Sequence, residues 1–429
     1  MTYSDALLYL DSVRDQGAKL ELDNIRNLIR HLPFDLSPIH FIQVAGTNGK
    51  GSTSHFTAAI LRACGYRTGL FTSPHLQTIR ERIMVDGAQI SQAEFAASLE
   101  AVKTIATELV RRGDVANMPT YFEHVFLTAI HHFHTRGIRA AVMEVGLGGR
   151  LDATTSLEPL VTAITNISRD HTKTLGPGIR DIAREKAGII KPGVPLVCGC
   201  PPRSVARRVI ENACREKGAP FHLVAPGRSD LEAVPSGQGY ACVYRSPLAE
   251  YTYQVRMNGI HQARNAAMAI RIAELYHYPE AVPSPAAVSG AISDTSVSGR
   301  IEHIPGNPSI YLDGGHNLEG TRALTRFLSE RNINGLTIIF GVLRDKPFRR
   351  MAAMIAPYAE RVIITEPVSR RALPAEQAAV CFPEHTHPII EHNYARALDM
   401  ARTFGHTIVI TGSLYMAGAM RTQILGGEP

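Results

Sequence analysis

What most constrains this chain is an alternation. Short, nearly continuous apolar runs are separated by stretches whose apolar residues recur at helical spacing. Residues 41–45, 68–71, 139–146 ("RAAVMEVG"), 160–167 ("LVTAITNI") and 195–199 ("PLVCG") read as strands. Between the first two, Phe56, Ala59, Ile60 and Ala63 keep helical spacing until Gly65, and a helix begun near Tyr121 continues over 125–134. Strands without polar alternation are the kind buried on both faces, and their alternation with helices predicts a parallel sheet covered on both sides. The last third repeats the pattern, with runs at 336–341, 361–367, 387–392 and 406–412 and a helix over 394–403. A second, doubly wound domain is therefore expected.

The small, polar "SDTSVSGR" (293–300) reads as the link between them. The expected division is 1–293, a linker at 294–299, and 300–429; 429 residues leave room for two such domains. Residues 240–255 read as antiparallel strands added to the first domain.

Composition excludes several partners. The formal net charge is +6, but there is no lysine or arginine run interleaved with aromatics, so no nucleic-acid partner is expected. No apolar run approaches the ~18 residues needed to span a bilayer. The opening "MTYSDALLYLDSVRDQG" carries early acids and no apolar segment of signal-peptide type, which points to a cytoplasmic protein with no membrane partner. Six cysteines are scattered; Cys198 and Cys200 are close, but C-x-C without a second pair is no zinc site. Reduced core thiols are expected.

The first strand leads into "VAGTNGKGS" (44–52). The phosphate-loop pattern G-x-x-x-x-G-K-[ST] fails strictly, because Val44 stands where the first glycine should and Gly51 where the hydroxyl should. Its chemical parts are nevertheless present. Gly46, Gly49 and Gly51 let the backbone wrap an anion at a helix N-terminus, and Lys50 adds a point charge. Ser52 or Thr53 is placed to cap the helix or bind a metal. The alternative is a tight turn with a surface lysine.

Polar residues at other strand ends join it. Glu144 interrupts an apolar strand near its C-terminal end, where such sheets place ligands. Asp170 and His171 follow the next strand; alone, His171 is equally an ordinary loop histidine. Lys186 lies in a helix ending near Gly188, where a lysine is normally solvated. Later come His261, Gln262 and Asn265 at a helix start, Arg300, and Asp313, His316 and Asn317 after a strand. These would face the loop if a nucleotide lay between the domains.

In order and spacing, "LYLDSVRDQGAKLELDNIRNLI", "VAGTNGKGS", "GLFTSPHL", "ERI", "PTYFE", "EVGLGGRLDAT", "DH", "IAREKAGIIKPG", "GIHQARNAA", "GR", "LDGGHN", "FGVLRDK" and "GSLYMAG" together resemble the folylpolyglutamate synthase and dihydrofolate synthase family, within the Mur-ligase-like ATP-dependent amide ligases. The resemblance covers nearly the whole chain. It implies an α/β fold with an N-terminal P-loop-type parallel-sheet ATPase domain and a C-terminal Rossmann-like domain. It implies that Asn48, Gly49, Lys50, Gly51 and Ser52 hold ATP phosphates, and that Asn265, Arg300, Asp313 and His316 meet the nucleotide from the far side. Ser73, Glu144 and His171 would bind magnesium, and Lys186 matches the family's carbamylated lysine serving a second magnesium; Lys50, His171 and Lys186 become the catalytic set. Thr120, Tyr121, Phe122 and Glu123, with Leu151, Asp152 and Ala153, match stretches that hold the pterin substrate. This chain departs from the family at Thr155, in place of an asparagine, at Gly315 and Leu318, and in having no tryptophan.

The implied activity joins L-glutamate to dihydropteroate or a reduced folate at the expense of ATP, in a monomer. A related ligase with another amino acid and another carboxylate, and a nucleotide-binding regulator without catalysis, are the alternatives.

Overall fold

A computed structural model describes residues 1–14, 21–224, 230–277 and 282–426. Residues 15–20, within the first stretch compared above, lie outside the described residues.

The first sheet has eight strands: β1 (His40–Ala45), β2 (Thr68–Phe71), β3 (Ile83–Val85), β4 (Ala88–Gln89), β5 (Ala140–Glu144), β6 (Pro159–Ile164), β7 (Leu196–Cys198) and β8 (Phe221–Leu223), in the spatial order β4-β3-β2-β5-β1-β6-β7-β8. It is parallel except for β3 and β4, which form an antiparallel edge. Central β1 and β5 are buried almost throughout, as their unbroken apolar sequences require. Val44 lies opposite both Glu144 and Ala163, so the C-terminal ends of β1, β5 and β6 stand level. The chain leaves β1 toward β2 on one side and β6 toward β7 on the other. That reversal opens a crevice at the strand ends.

The expected antiparallel strands form a sheet of their own, β9 (Leu231–Ser236), β10 (Gly239–Arg245) and β11 (Glu250–Val255). Tyr240, Cys242, Tyr251, Tyr253 and Val255 alternate inward and share one core with Val44, Phe56 and Ile270. On the opposite face of the large sheet, helices Tyr3–Arg14, Gln92–Arg112 and Tyr121–Thr135 enclose a second core around Phe71, Phe95 and Phe126.

The second sheet contains β12 (Glu302–Ile304), β13 (Ile310–Leu312), β14 (Leu336–Phe340), β15 (Ala359–Ile364), β16 (Pro388–Ile390) and β17 (Ile408–Thr411), in the order β12-β13-β17-β14-β15-β16. Only β12 runs antiparallel among them. Its two faces carry separate cores, one around Phe327 and Phe340 and one around Leu398 and Met416.

Three expectations shift. Helix Pro285–Asp294 absorbs Ser293 and Asp294, because Val288 and Ile292 give that segment an apolar face buried in the first core. Several strands are shorter than their apolar runs; β6 stops at Ile164, before Thr165 bonds the phosphate-type loop. The helix after β1 starts at Lys50 with Gly49 as its cap, so Ser52 and Thr53 sit inside the first turn and neither caps it.

The two halves touch through polar contacts. The Tyr240 hydroxyl donates to Glu330 at 2.9 Å, and Arg331 donates to the Gly239 carbonyl at 2.8 Å. Arg421 pairs with Glu302 and reaches Gln77 of the first sheet's 73–82 loop.

Candidate active site

The strand ends of the first sheet and the facing edge of the second enclose a cleft of about 820 Å³. Asn48, Gly49, Lys50, Gly51, Ser52, Ser73, Glu144, His171 and Lys186 line it from one side, with Asn265 at the start of helix His261–His277. Arg300, Asp313 and His316 line it from the other.

The 46–49 loop is held open from behind. The Asn48 N–H donates to Asn166 Oδ1 at 2.8 Å, and Thr165 Oγ1 donates to the Asn48 carbonyl at 2.6 Å. Gly49 has φ +82°, and a Cβ there would stand 2.7 Å from Asn265 Oδ1. Only glycine meets both demands. The free N–H groups of the following helix and its dipole then point into the cleft. Gly51 occupies the position where the strict loop carries a hydroxyl, and a Cβ there would lie 3.5 Å from Glu144 Oε2. A hydroxyl is offered beside Glu144 by Ser73, which follows β2 and lines the same cleft. Its Oγ is buried without a partner, while its N–H donates to Glu144 Oε2 at 3.1 Å.

Glu144 is 5% exposed, and its nearest cation, Lys50 Nζ, is 3.9 Å away. Burial pushes its pKa up, against Lys50 and the Ser73 N–H. A buried carboxylate with so few partners has capacity for a cation. His171, exposed at the mouth of the cleft, adds a nitrogen donor: its partial desolvation there, with Lys346 and Lys50 nearby, lowers its pKa to about 4, so the ring is neutral and can ligate. Its φ of +51° is uncommon for a non-glycine residue and turns it out at the strand end. Among the described residues no three His, Cys, Asp or Glu side chains converge as a metal cluster. An orphan hydroxyl, one carboxylate and one imidazole therefore fit an ion that takes its other ligands from phosphate and water, as Mg²⁺ does.

Lys186 is 4% exposed, and its Nζ donates to the Gly46 carbonyl at 2.8 Å. Burial, reinforced by Lys50, lowers its pKa to about 7. Close to neutrality a large share of this amine is therefore unprotonated and nucleophilic.

On the far side, burial raises Asp313 to a pKa of about 6, opposed by Arg300 and two backbone N–H groups. One of these belongs to Ile301, whose left-handed φ of +48° is strained for a β-branched residue. Asp313 thereby fixes the turn that presents Arg300.

Sequence reasoning named Asp170 without assigning it a role and did not select Lys346. Asp170 accepts from Lys346 Nζ at 2.6 Å and from Asn317 Nδ2 at 3.0 Å, and His316 Nε2 lies 3.5 Å away. Burial alone would raise its pKa, but His316 and Lys346 hold it well below the usual carboxylate range. Asn317 also bonds Asn48 of the phosphate-type loop at 3.0 Å. One carboxylate thus ties the two halves across the cleft. The available signal was the lysine of "FGVLRDK".

Thr120, Tyr121, Phe122, Glu123, Leu151, Asp152 and Ala153 do not line this cleft. Thr120 caps helix Tyr121–Thr135 and exchanges hydrogen bonds with Glu123. Asp152 accepts from the N–H groups of Gly146, Leu147 and Thr154 and from the Thr154 hydroxyl. Tyr121, Phe122 and Leu151 pack half-buried at the edge of the Phe71–Phe126 core. The cysteines are free thiols, four of them buried. No helix among the described residues is long and apolar enough to cross a membrane.

The chain matches two family descriptions, Mur ligase middle domain over residues 44–273 and Mur ligase, glutamate ligase domain over residues 299–414. It is 32% identical to the dihydrofolate synthase/folylpolyglutamate synthase of Bacillus subtilis, covering 98% of this chain and 99% of that one. It spans about half the length of the probable bifunctional folylpolyglutamate synthase/dihydropteroate synthases of Haloferax volcanii and Halobacterium salinarum, at 31% and 32% identity and 98% and 99% of this chain. Among solved structures it is similar to Mycobacterium tuberculosis folylpolyglutamate synthase complexed with ADP, with a TM-score of 0.90, 29% identity and all of both chains covered. It is also similar to E. coli FolC in complex with DHPP and ADP, with a TM-score of 0.85, 27% identity, and 99% of this chain and 98% of that one covered.

Proposed function

We propose, from the premise that the chain belongs to the folylpolyglutamate synthase/dihydrofolate synthase branch of the Mur ligase family, that it is an ATP-dependent ligase adding L-glutamate to dihydropteroate and to reduced folates. The observation that carries this is the open donor set of Ser73 Oγ and Glu144 beside Lys50, facing a second domain across the cleft. The ADP and DHPP in the E. coli relative's structure support the same reading.

A carboxylate does not acylate an amine in water, because its oxygen leaves poorly. Transfer of the γ-phosphoryl group of ATP to that oxygen makes an acyl phosphate and leaves ADP. The amine of glutamate then attacks the carbonyl carbon; a C–N bond forms, the C–O bond to phosphate breaks, and the amine gives up a proton. Backbone N–H groups of the 46–51 loop and the Lys50 ammonium hold the phosphates and meet the charge as it moves. Ser73, Glu144 and His171 would hold magnesium, which supplies further neutralisation of the transferred phosphoryl group. Lys186, unprotonated and next to the loop, would take up CO₂ with loss of a proton to give a carbamate, whose anionic oxygens would serve to hold a second ion. Asn265, Arg300 and Asp313 close on the nucleotide, and the Asp170 contacts exclude the water that would hydrolyse the acyl phosphate.

Purified protein given ATP, magnesium and glutamate is expected to release phosphate only when dihydropteroate or tetrahydrofolate is added. Turnover with a different amino acid or carboxylate, in a screen of both, would reassign the substrates.

A further inference from the structure

Behind the 73–75 turn lies a cationic cluster that the proposed chemistry leaves unused. Arg82 is 8% exposed. Its Nε donates to His75 Nδ1 at 2.9 Å. Its Cζ lies 5.7 Å from the centre of the Tyr121 ring, and Arg14 covers the same ring at 4.6 Å. The Tyr121 hydroxyl is buried and makes no hydrogen bond of ordinary geometry.

Among the described residues no carboxylate forms an ion pair with Arg82. The carboxylate whose charge reaches Arg82 is Glu144, whereas the exposed Arg14 pairs with Asp11 at 3.2 Å. Burying a guanidinium without an anion costs several kcal/mol. An anion that arrives with a ligand would offset that cost. Arg82 is not among the residues lining the cleft, but its backbone is tied to the strand end that carries Ser73. Its carbonyl accepts the Thr72 N–H at 3.0 Å, and the next residue, Ser73, bonds Glu144. The phosphates of a nucleotide are already served by Lys50 and the loop. What remains among the substrates is carboxylate, which a guanidinium fork matches in shape.

We propose that Arg82, assisted by Arg14 and the Tyr121 hydroxyl, is a subsite for a non-reacting carboxylate of the substrates. This rests on the ligase reading above. The carboxylate has two sources, the glutamate tail of a folate acceptor or the incoming glutamate; dihydropteroate has only its reacting carboxylate.

Steady-state kinetics of Arg82→Gln, Arg82→Lys and Arg14→Gln, with thermal melts, separate the cases. If the acceptor tail binds there, Arg82→Gln raises KM for tetrahydrofolate about 10- to 100-fold, the range of a lost charged hydrogen bond, and leaves KM for dihydropteroate alone. If incoming glutamate binds there, KM for glutamate rises by that factor with either acceptor. Arg82→Lys, which keeps charge but loses the fork, gives a smaller rise, and Arg14→Gln a rise of about 3-fold in the same constant. Folded variants with all three constants unchanged, or with only kcat lowered, overturn the subsite. Should both Arg82 variants fail to fold, an unchanged Arg14→Gln overturns it. A wild-type protein silent with both acceptors would instead overturn the ligase reading.

Discussion

Two buried carboxylates near one another in sequence, Glu144 and Asp152, have opposite surroundings. Asp152 accepts three backbone N–H groups and a hydroxyl, all from its own loop. Glu144 accepts one N–H and faces an ammonium 3.9 Å away. Both are desolvated, and burial raises both pKa values. The difference lies in who completes them. Asp152 is completed by the fold and shapes the 146–155 turn; Glu144 is left for something that comes and goes. In a buried site, the count of internal partners separates a carboxylate that builds from one that binds.

The sharpest break of that contrast is Glu144→Ala. It is expected to lower kcat/KM by ~10³-fold or more while the melting temperature holds or rises, since an uncompensated charge is removed. Asp152→Ala should do the reverse to stability, costing ~3 kcal/mol in denaturant unfolding because three N–H groups lose their acceptor. Equal effects of the two substitutions on stability would erase the distinction.

Asp170 tests the contrast between domains, because its partners come from the opposite half. Lys346→Met leaves that carboxylate without its shortest partner, in a pair 6% and 8% exposed. Breaking such a pair costs about 3–5 kcal/mol. Here it should appear mainly as lost closure: acceptor-independent ATP hydrolysis rises and X-ray scattering shows a larger radius of gyration.

Lys186 gives a pH signature. Its amine must lose a proton to take up CO₂, and its pKa is lowered to about 7. Activity should therefore fall as pH drops from 8 to 6, the direction in which the amine is protonated. Asp313, at about 6, loses its negative charge at the lower end of the same range. Added bicarbonate should restore part of the activity near pH 7, and intact-protein mass should show one added carboxyl group. An acid limb insensitive to bicarbonate would separate Lys186 from the carbamate.

Thr155→Asn should have the smallest effect. The Thr155 hydroxyl donates to Gly149 O at 2.7 Å and accepts from Gln43 at 2.8 Å. An asparagine can make both kinds of bond, so a change within ~1 kcal/mol is expected.

Much of this was legible in sequence because its signals are local. Lys50 follows a glycine turn between a strand and a helix, and Glu144 interrupts an apolar strand. The parts that escaped are non-local or short. Asp170 and Lys346 are 176 residues apart and meet only when the two sheets face each other. Strands β3, β4 and β12 have three residues or fewer, at or next to sheet edges, too short for a period to show. Ser73 did not escape, but only the family resemblance singled it out; by itself it looks like any loop serine until its neighbours leave its hydroxyl without a partner.

The central claim is that this cleft couples ATP cleavage to amide formation. Its most direct measurement is phosphate release with mass analysis of the product. With ATP, magnesium, glutamate and dihydropteroate or tetrahydrofolate, one phosphate should appear per glutamate added, and none when the acceptor is omitted. Phosphate released at the same rate without acceptor, or no glutamylated product from either one, would contradict it.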